Sequence, residues 1–241
     1  MDGTRAIYGL GCLGLGILGL VSGDFAFQWQ PVPKDIAFHA PLAYFSAALL
    51  IALGLGAIWR RTSAAASLGL GLMFAVWVFV LHVPKALQAP GEVASWNAVA
   101  EAWALSMGGL IGWAADRRPA ATAWLRRLFG LGPVVFGLAH FTYAKFTASM
   151  VPAWLPPSQL FWAYVIGAGQ LSAGVSLISG VLAQLAATLL TAMYATFVLI
   201  LHTPRVLNAP GERIEWTMLF IALSLTGAAW IVRNSIPPKA P

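Results

Sequence analysis

Residues 81–92 read Leu-His-Val-Pro-Lys-Ala-Leu-Gln-Ala-Pro-Gly-Glu, and residues 201–212 read Leu-His-Thr-Pro-Arg-Val-Leu-Asn-Ala-Pro-Gly-Glu. Eight of the twelve positions are identical, and Lys85/Arg205 and Gln88/Asn208 exchange like for like. The same offset of 120 residues pairs Tyr44 with Tyr164, Gly54 with Gly174, Met73 with Met193, Trp96 with Trp216 and Leu105 with Leu225. Self-similarity at one fixed offset identifies an internal duplication. The repeated unit therefore decides the fold.

The rest of the chain shows what kind of unit is repeated. Its residues are 59% apolar and only 9% charged, far outside the composition of soluble domains. Several stretches approach or exceed the roughly 18 apolar residues that mark a membrane-spanning helix. Hydropathy predicts eight spans, at about 6–23, 41–59, 64–83, 95–115, 128–143, 160–179, 181–203 and 214–232. The predicted fold is all-α: a polytopic membrane protein whose eight transmembrane helices form two parallel four-helix bundles. The first repeat takes residues 1–116, a cytoplasmic linker 117–127 (Arg-Arg-Pro-Ala-Ala-Thr-Ala-Trp-Leu-Arg-Arg), and the second repeat 128–241.

The formal charge of +6 is distributed as topology signals rather than as a nucleic-acid face. Arginines come in pairs between apolar runs (Arg60/Arg61, Arg117/Arg118, Arg126/Arg127). One side collects nine basic residues: Arg5, those three pairs, Arg233 and Lys239. The other collects five: Lys34, Lys85, Lys145, Arg205 and Arg213. The positive-inside rule then puts both termini in the cytoplasm. An even number of spans per repeat makes the repeats run the same way, related by an axis along the membrane normal. Residues 1–23 have the look of a signal peptide, but the matching apolar run in the second repeat argues for a retained helix.

Several residues are candidates for chemistry. His82 and His202 stand one position before the expected helix exit at His-x-Pro, where a turn has no need of an imidazole. Such a histidine can titrate, bind a metal or haem, or donate to a quinone or lipid headgroup; equally, it can fasten its own loop. Two His and two Glu at one depth would suffice chemically for a metal, yet the spacing matches no zinc or copper signature. The Ala-Pro-Gly sequence fits a type II turn. Glu92 and Glu212 then begin the next helices, where the dipole favours them. Trp96 and Trp216 suit the interfacial belt. Glu101 is an ionisable residue inside a span, on one face with Asn97, and its counterpart at the 120-residue offset is Ile221. Asp24 and His140 occupy related positions in Asp-Phe-Ala-Phe and His-Phe-Thr-Tyr, if the second loop is four residues longer. His39 reads as an exposed loop residue.

The aromatic, proline-rich outer loops either lie along the interface or form a lid over a cavity between helices. Glycines crowd the first span (Gly9, Gly11, Gly14, Gly16, Gly19), the usual device for close helix packing in lipid. Cys12 is the single cysteine, which rules out an intramolecular disulfide or dithiol centre and reads as a small packing residue. No phosphate loop, nucleophile elbow, His-Glu-x-x-His or dinucleotide fingerprint is present, which argues against soluble-enzyme chemistry.

These residues resemble the DoxX-like membrane protein family. The resemblance rests on the four-span unit, the glycine-rich first helix and the outer loop ending in Val-Pro. Its main support is Leu-His-x-Pro-Arg-x-Leu-x-Ala-Pro followed by Glu-Trp-Thr-x-Leu-Phe-x-Ala-Leu-x-Leu-x-Gly-Ala, from Leu201 to Ala228. The second repeat fits best. The first looks like a diverged copy, with Asn97-Ala98-Val99 in place of Thr217-Met218-Leu219, and the doubled length departs from the single unit common in the family. Some relatives resemble subunits of a thiosulfate:quinone oxidoreductase, and others are associated with redox maturation or assembly of partner proteins. No universal catalytic residue carries over.

Four readings of function follow. In the first, a redox-associated protein of the bacterial inner membrane binds a quinone or similar amphipathic molecule in an outer-side cavity. There His82, His202 and Glu101 carry the protons, and Asp24, His140, Glu92, Glu212, Trp96 and Trp216 surround the ligand. A quinone is the one cofactor class implied, and the electrons would come from a partner protein. The others are a transporter with a site between the repeats, a non-catalytic assembly scaffold, and a membrane enzyme acting on lipid-like substrates.

Overall fold

The computed structural model describes residues 2–237, so Lys239, counted above with the basic side, lies outside the described residues. Among the described residues the fold is all-helical, with no strand. Six helices are long and apolar enough to cross a membrane. They are α1 (Asp2–Ser22), α2 (His39–Ile58), α3 (Ser63–Ala86), α8 (Gln159–Ser179), α9 (Ala183–Asn208) and α10 (Arg213–Asn234).

Two of the expected spans differ from these six. Helix α4 (Val93–Ala114) has the length of a span but carries Asn97 and Glu101 in its first half. The span expected at about 128–143 is α6 (Leu131–Thr142), only 12 residues long, and the stretch expected as the linker is itself helical, forming α5 (Pro119–Phe129). Gly130 joins them in helical geometry, and Pro133 cannot donate to the Phe129 carbonyl, so the ladder breaks there. The short α7 (Ala144–Met150) follows.

The helices form a closed ring in the order α1, α2, α3, α4, α6, α8, α9, α10 and back to α1, with α4 and α10 also touching across the centre. Each half therefore reaches into the other, since α1 packs on α10 and α6 packs on α4. Small residues permit the approach. A Cβ at Gly227 of α10 would overlap the Tyr8 backbone of α1, so only glycine fits there.

Element boundaries recur at the 120-residue offset: α3 starts at Ser63 and α9 at Ala183, and α4 starts at Val93 and α10 at Arg213. The repeated motif itself corrects the expectation of a helix exit at His-x-Pro. In both copies the helix widens into a π-turn, Trp77–His82 and Phe197–His202, and runs on through the proline. The Val83 amide bonds the Val78 carbonyl and the Thr203 amide the Val198 carbonyl, five residues back. That extra residue per turn gives the proline ring room without ending the helix. The Ala-Pro-Gly turns close by Glu92 N–H to the Ala89 carbonyl and Glu212 N–H to the Ala209 carbonyl, both 3.0 Å. Neither Gly91 nor Gly211 has the positive φ that a type II turn requires, so that expectation is also corrected.

Among the described residues, basic side chains of the two sets tie down opposite ends of the ring. At one end buried Arg5 donates to the Gly112 carbonyl at 2.8 Å and to Asp116 at 2.5 Å, and Arg126 donates to the Ser235 carbonyl at 2.6 Å. Burial, with Arg127 alongside, lowers the Arg126 pKa from its usual range. At the other end Arg213 pairs with Asp24 at 3.3 Å and also donates to the Phe25 carbonyl, tying α10 to the loop after α1.

Candidate functional site

A cavity of about 560 Å³ opens between α4, α6, α7, α8, α9 and α10, within the size range of small-molecule sites. Its walls are mostly apolar, with Phe136, Phe146, Met150, Phe197 and Leu225 among them. Polar side chains from several helices line it, among them Glu101 from α4, His140 from α6, Gln170 from α8, and Tyr194 and His202 from α9.

Three of these are unusual. Gln170, Tyr194 and His202 are only 3%, 3% and 8% exposed. Yet Gln170 Oε1, the Tyr194 hydroxyl and His202 Nδ1 have no hydrogen-bond partner. Buried polar atoms in native folds are almost always paired, and each orphan costs about 1–3 kcal/mol. The three orphans belong to residues that line one space, and together they offer both donors and acceptors.

Glu101 is held from two sides. The Trp29 indole N–H donates to one carboxyl oxygen, and Asn97 Nδ2 donates to the other at 3.1 Å. Trp29 lies in a short 3-10 turn, Phe27–Trp29, in the loop after α1, and lines the cavity with Gln28. Its carbonyl accepts a 2.8 Å bond from His82 Nε2. Because a carbonyl can only accept, Nε2 carries the proton. By the same logic His140 carries its proton on Nδ1, bonded to the Phe136 carbonyl at 2.8 Å, which leaves a neutral ring its Nε2 lone pair.

The sequence-predicted residues therefore divide. His202, Glu101 and His140 line the cavity. His82 is one residue removed, acting on Glu101 only through Trp29. Asp24 sits outside with Arg213 and with His39 at 3.8 Å. His39 is half-buried at the start of α2, edge-on to Phe25 at 5.1 Å, which corrects its reading as an exposed loop residue. Glu92 and Glu212 are exposed N-caps without a side-chain capping bond. Trp96 and Trp216 clamp the turns by donating to the Pro90 and Pro210 carbonyls, each at 2.9 Å. Cys12 is fully buried with Ser224 at 3.8 Å. Among the described residues no three His, Cys, Asp or Glu side chains converge as a metal site.

Sequence reasoning missed Gln170, Tyr194 and Trp29. The first two were open to comparison of the copies, because the offset replaces Leu50 by Gln170 and Phe74 by Tyr194. It also missed Glu215, which holds Arg205 in a two-pronged pair with both contacts at 2.7 Å. The first copy has Lys85 and Ser95 at those places. A second depression of about 570 Å³ lies between residues 149–154 and α9. None of the unpartnered buried atoms among the described residues lines it.

A family model described as a domain of unknown function (DUF8561) matches residues 130–233, less than half of the chain. The match runs from the α5–α6 joint into α10, so it holds Gln170, Tyr194 and His202 but not Trp29 or Glu101. No curated protein and no solved structure matches the chain.

Proposed function

We propose that this multi-pass membrane protein binds a neutral, amphipathic small molecule in the cavity between α4 and α6–α10. The observation that carries this reading is the trio of buried, unpartnered polar atoms on Gln170, Tyr194 and His202. In an apolar enclosure such atoms persist when a ligand supplies their missing bonds. The set is mixed: the Tyr194 hydroxyl and a His202 N–H donate, while Gln170 Oε1 and Glu101 accept.

A quinone fits that mixture, since its oxidised ring needs donors and its reduced ring needs acceptors. When bound, it would supply two-electron chemistry, with the electrons passing to or from a partner protein. This chain's residues would hold the ring, keep it from water and keep Glu101 in place through Trp29 and Asn97. The loop bearing Trp29 and helix α7 bearing Phe146 would serve as the cover, while Phe38 and Trp154, at 77% and 69% exposed, would rest in the interface.

The same proposal takes eight crossings in two four-helix units of like orientation, residues 1–116 and 128–241, supported by the recurring boundaries. It places both termini on the arginine-rich side of a bacterial cytoplasmic membrane. Kinship with DoxX-like proteins belongs to this proposal, on the motif from Leu201 to Ala228.

The test is chemical. Full-length protein is taken up with native lipid in nanodiscs and its small-molecule content read by mass spectrometry, beside Ala222→Trp, which fills the cavity from its α10 wall. A neutral amphipathic compound near equimolar with the wild type and lost from the variant is expected. Identical profiles for the two proteins would refute the reading.

A further inference from the structure

The two halves set equivalent residues around equivalent spaces, and the chain fills one of them itself. Ile166 and His202 line the open cavity; at the 120-residue offset they correspond to Ser46 and His82. In the first half both partners are taken by one segment, Phe25–Gln30. Gln30 Nε2 donates to Ser46 Oγ at 2.8 Å, and the Trp29 carbonyl accepts from His82 Nε2 at 2.8 Å. Phe25, Ala26 and Gln30 are more than nine-tenths buried there. In the second half the corresponding connection, 143–158 against 23–38 in the first, has the same length but coils into α7, and none of its residues hydrogen-bonds His202. Among the described residues His202 makes no hydrogen bond.

We propose that the ligand takes, beside His202, the place that Phe25–Gln30 takes beside His82, and presents a carbonyl oxygen to the His202 imidazole N–H. The inference rests on the reading that the cavity binds a ligand, and it adds the group that is recognised. Both histidines end a π-turn and precede x-Pro, so their rings leave α3 and α9 from the same register. The first copy shows what that register receives: a neutral, acceptor-only oxygen on a largely apolar segment. An acidic ligand would share the space with the Glu101 carboxyl, which favours an uncharged carbonyl compound such as a ring ketone, quinone or amide.

Two probes isolate the carbonyl: a methylnaphthoquinone, and the methylnaphthalene that differs by lacking its oxygens. Each is equilibrated by dialysis between full-length protein in detergent and matched empty micelles. The wild type should bind the quinone at least about tenfold more tightly than the hydrocarbon, as one to two hydrogen bonds predict. His202→Phe should lose about tenfold for the quinone and shift the hydrocarbon by no more than about twofold. His202→Gln, which keeps an N–H, should recover part of the loss. Equal binding of both probes by the wild type, or a quinone preference that survives His202→Phe, overturns the carbonyl inference while leaving the cavity a binding site. Binding of neither probe overturns both.

Discussion

Replacing Tyr194 by Phe should stabilise this protein in the absence of ligand. Phe is the residue the first copy places at the equivalent position, Phe74. The substitution removes one oxygen and keeps the ring, which is 3% exposed and tilted against Phe197 at a centroid distance of 6.1 Å. The hydroxyl has no partner and no contact with water, so the folded state carries its desolvation without return, roughly 1–3 kcal/mol. The lower end applies, because the substitution changes little packing; the gain is about 1 kcal/mol. Gln170→Leu, again the first copy's residue (Leu50), should add a similar amount. For a chain of this size each kcal/mol moves Tm by roughly 2–4 °C, so the double variant should melt about 4–8 °C higher. The assay is thermal unfolding of ligand-stripped protein in one detergent, followed by tryptophan fluorescence. With ligand present the order should reverse, since a bound ligand stabilises in proportion to its affinity and both variants bind it less well. A lower Tm for stripped Tyr194→Phe would show that the hydroxyl is satisfied, and the binding reading would lose its main support.

Gly227→Ala should destabilise by more than about 1 kcal/mol despite the better helix propensity of alanine, because its Cβ meets the Tyr8 backbone. Gly169→Ala, where the added carbon meets only the flexible Met193 Cε at 3.1 Å, should be neutral or stabilising in the same melt. Arg205→Lys should lower stability by about 1 kcal/mol, discounted because the Arg205 side chain is 38% exposed; Glu215→Gln should add little once Arg205 is lysine, a coupling that a double-mutant cycle reads. In a Cys12→Ala background, single cysteines at Lys34 and Lys145 should react with an impermeant maleimide from one side of the membrane, and cysteines at Arg61 and Arg118 from the other. Labelling of Lys34 and Lys145 positions from opposite sides would end the like-facing arrangement of the halves.

The membrane class was legible at once, because 59% apolar residues leave no soluble alternative, and the 120-residue offset located most helices. Detail failed where one residue type serves two geometries. Proline after His-x reads as a helix stop, but in lipid an unsatisfied backbone is costly, so the helix keeps its bonds by widening instead of ending. Pro-Gly reads as type II, yet the amide bonds at Glu92 and Glu212 close the turn without positive φ. Of the site, Glu101 announced itself by charge and His202 by repetition. Gln170 and Tyr194 are ordinary residues in isolation and carry information only as departures from Leu50 and Phe74. Trp29 gave no signal, since a tryptophan in an outer loop is expected in the interface. Its inward turn comes from bonds to residues 53 and 72 positions away, His82 and Glu101.

Those two bonds also say why a duplicated chain would keep its halves unequal. The cavity lies against second-half helices, but Trp29 and Glu101, both on its wall, come from the first half. The first-half histidine serves the cavity without entering it: His82 holds the Trp29 carbonyl, and the Trp29 indole holds Glu101. Filling the first space with Phe25–Gln30 therefore also builds a wall for the cavity of the second. The ring closure points the same way, since α1 packs on α10 and α4 on α6, so the cavity's frame spans both halves. A chain carrying only the second half would have the three unpartnered groups and lack the carboxyl opposite them. The chemistry proposed here belongs to the pair of halves, with recognition placed in the second and the means of holding Glu101 placed in the first.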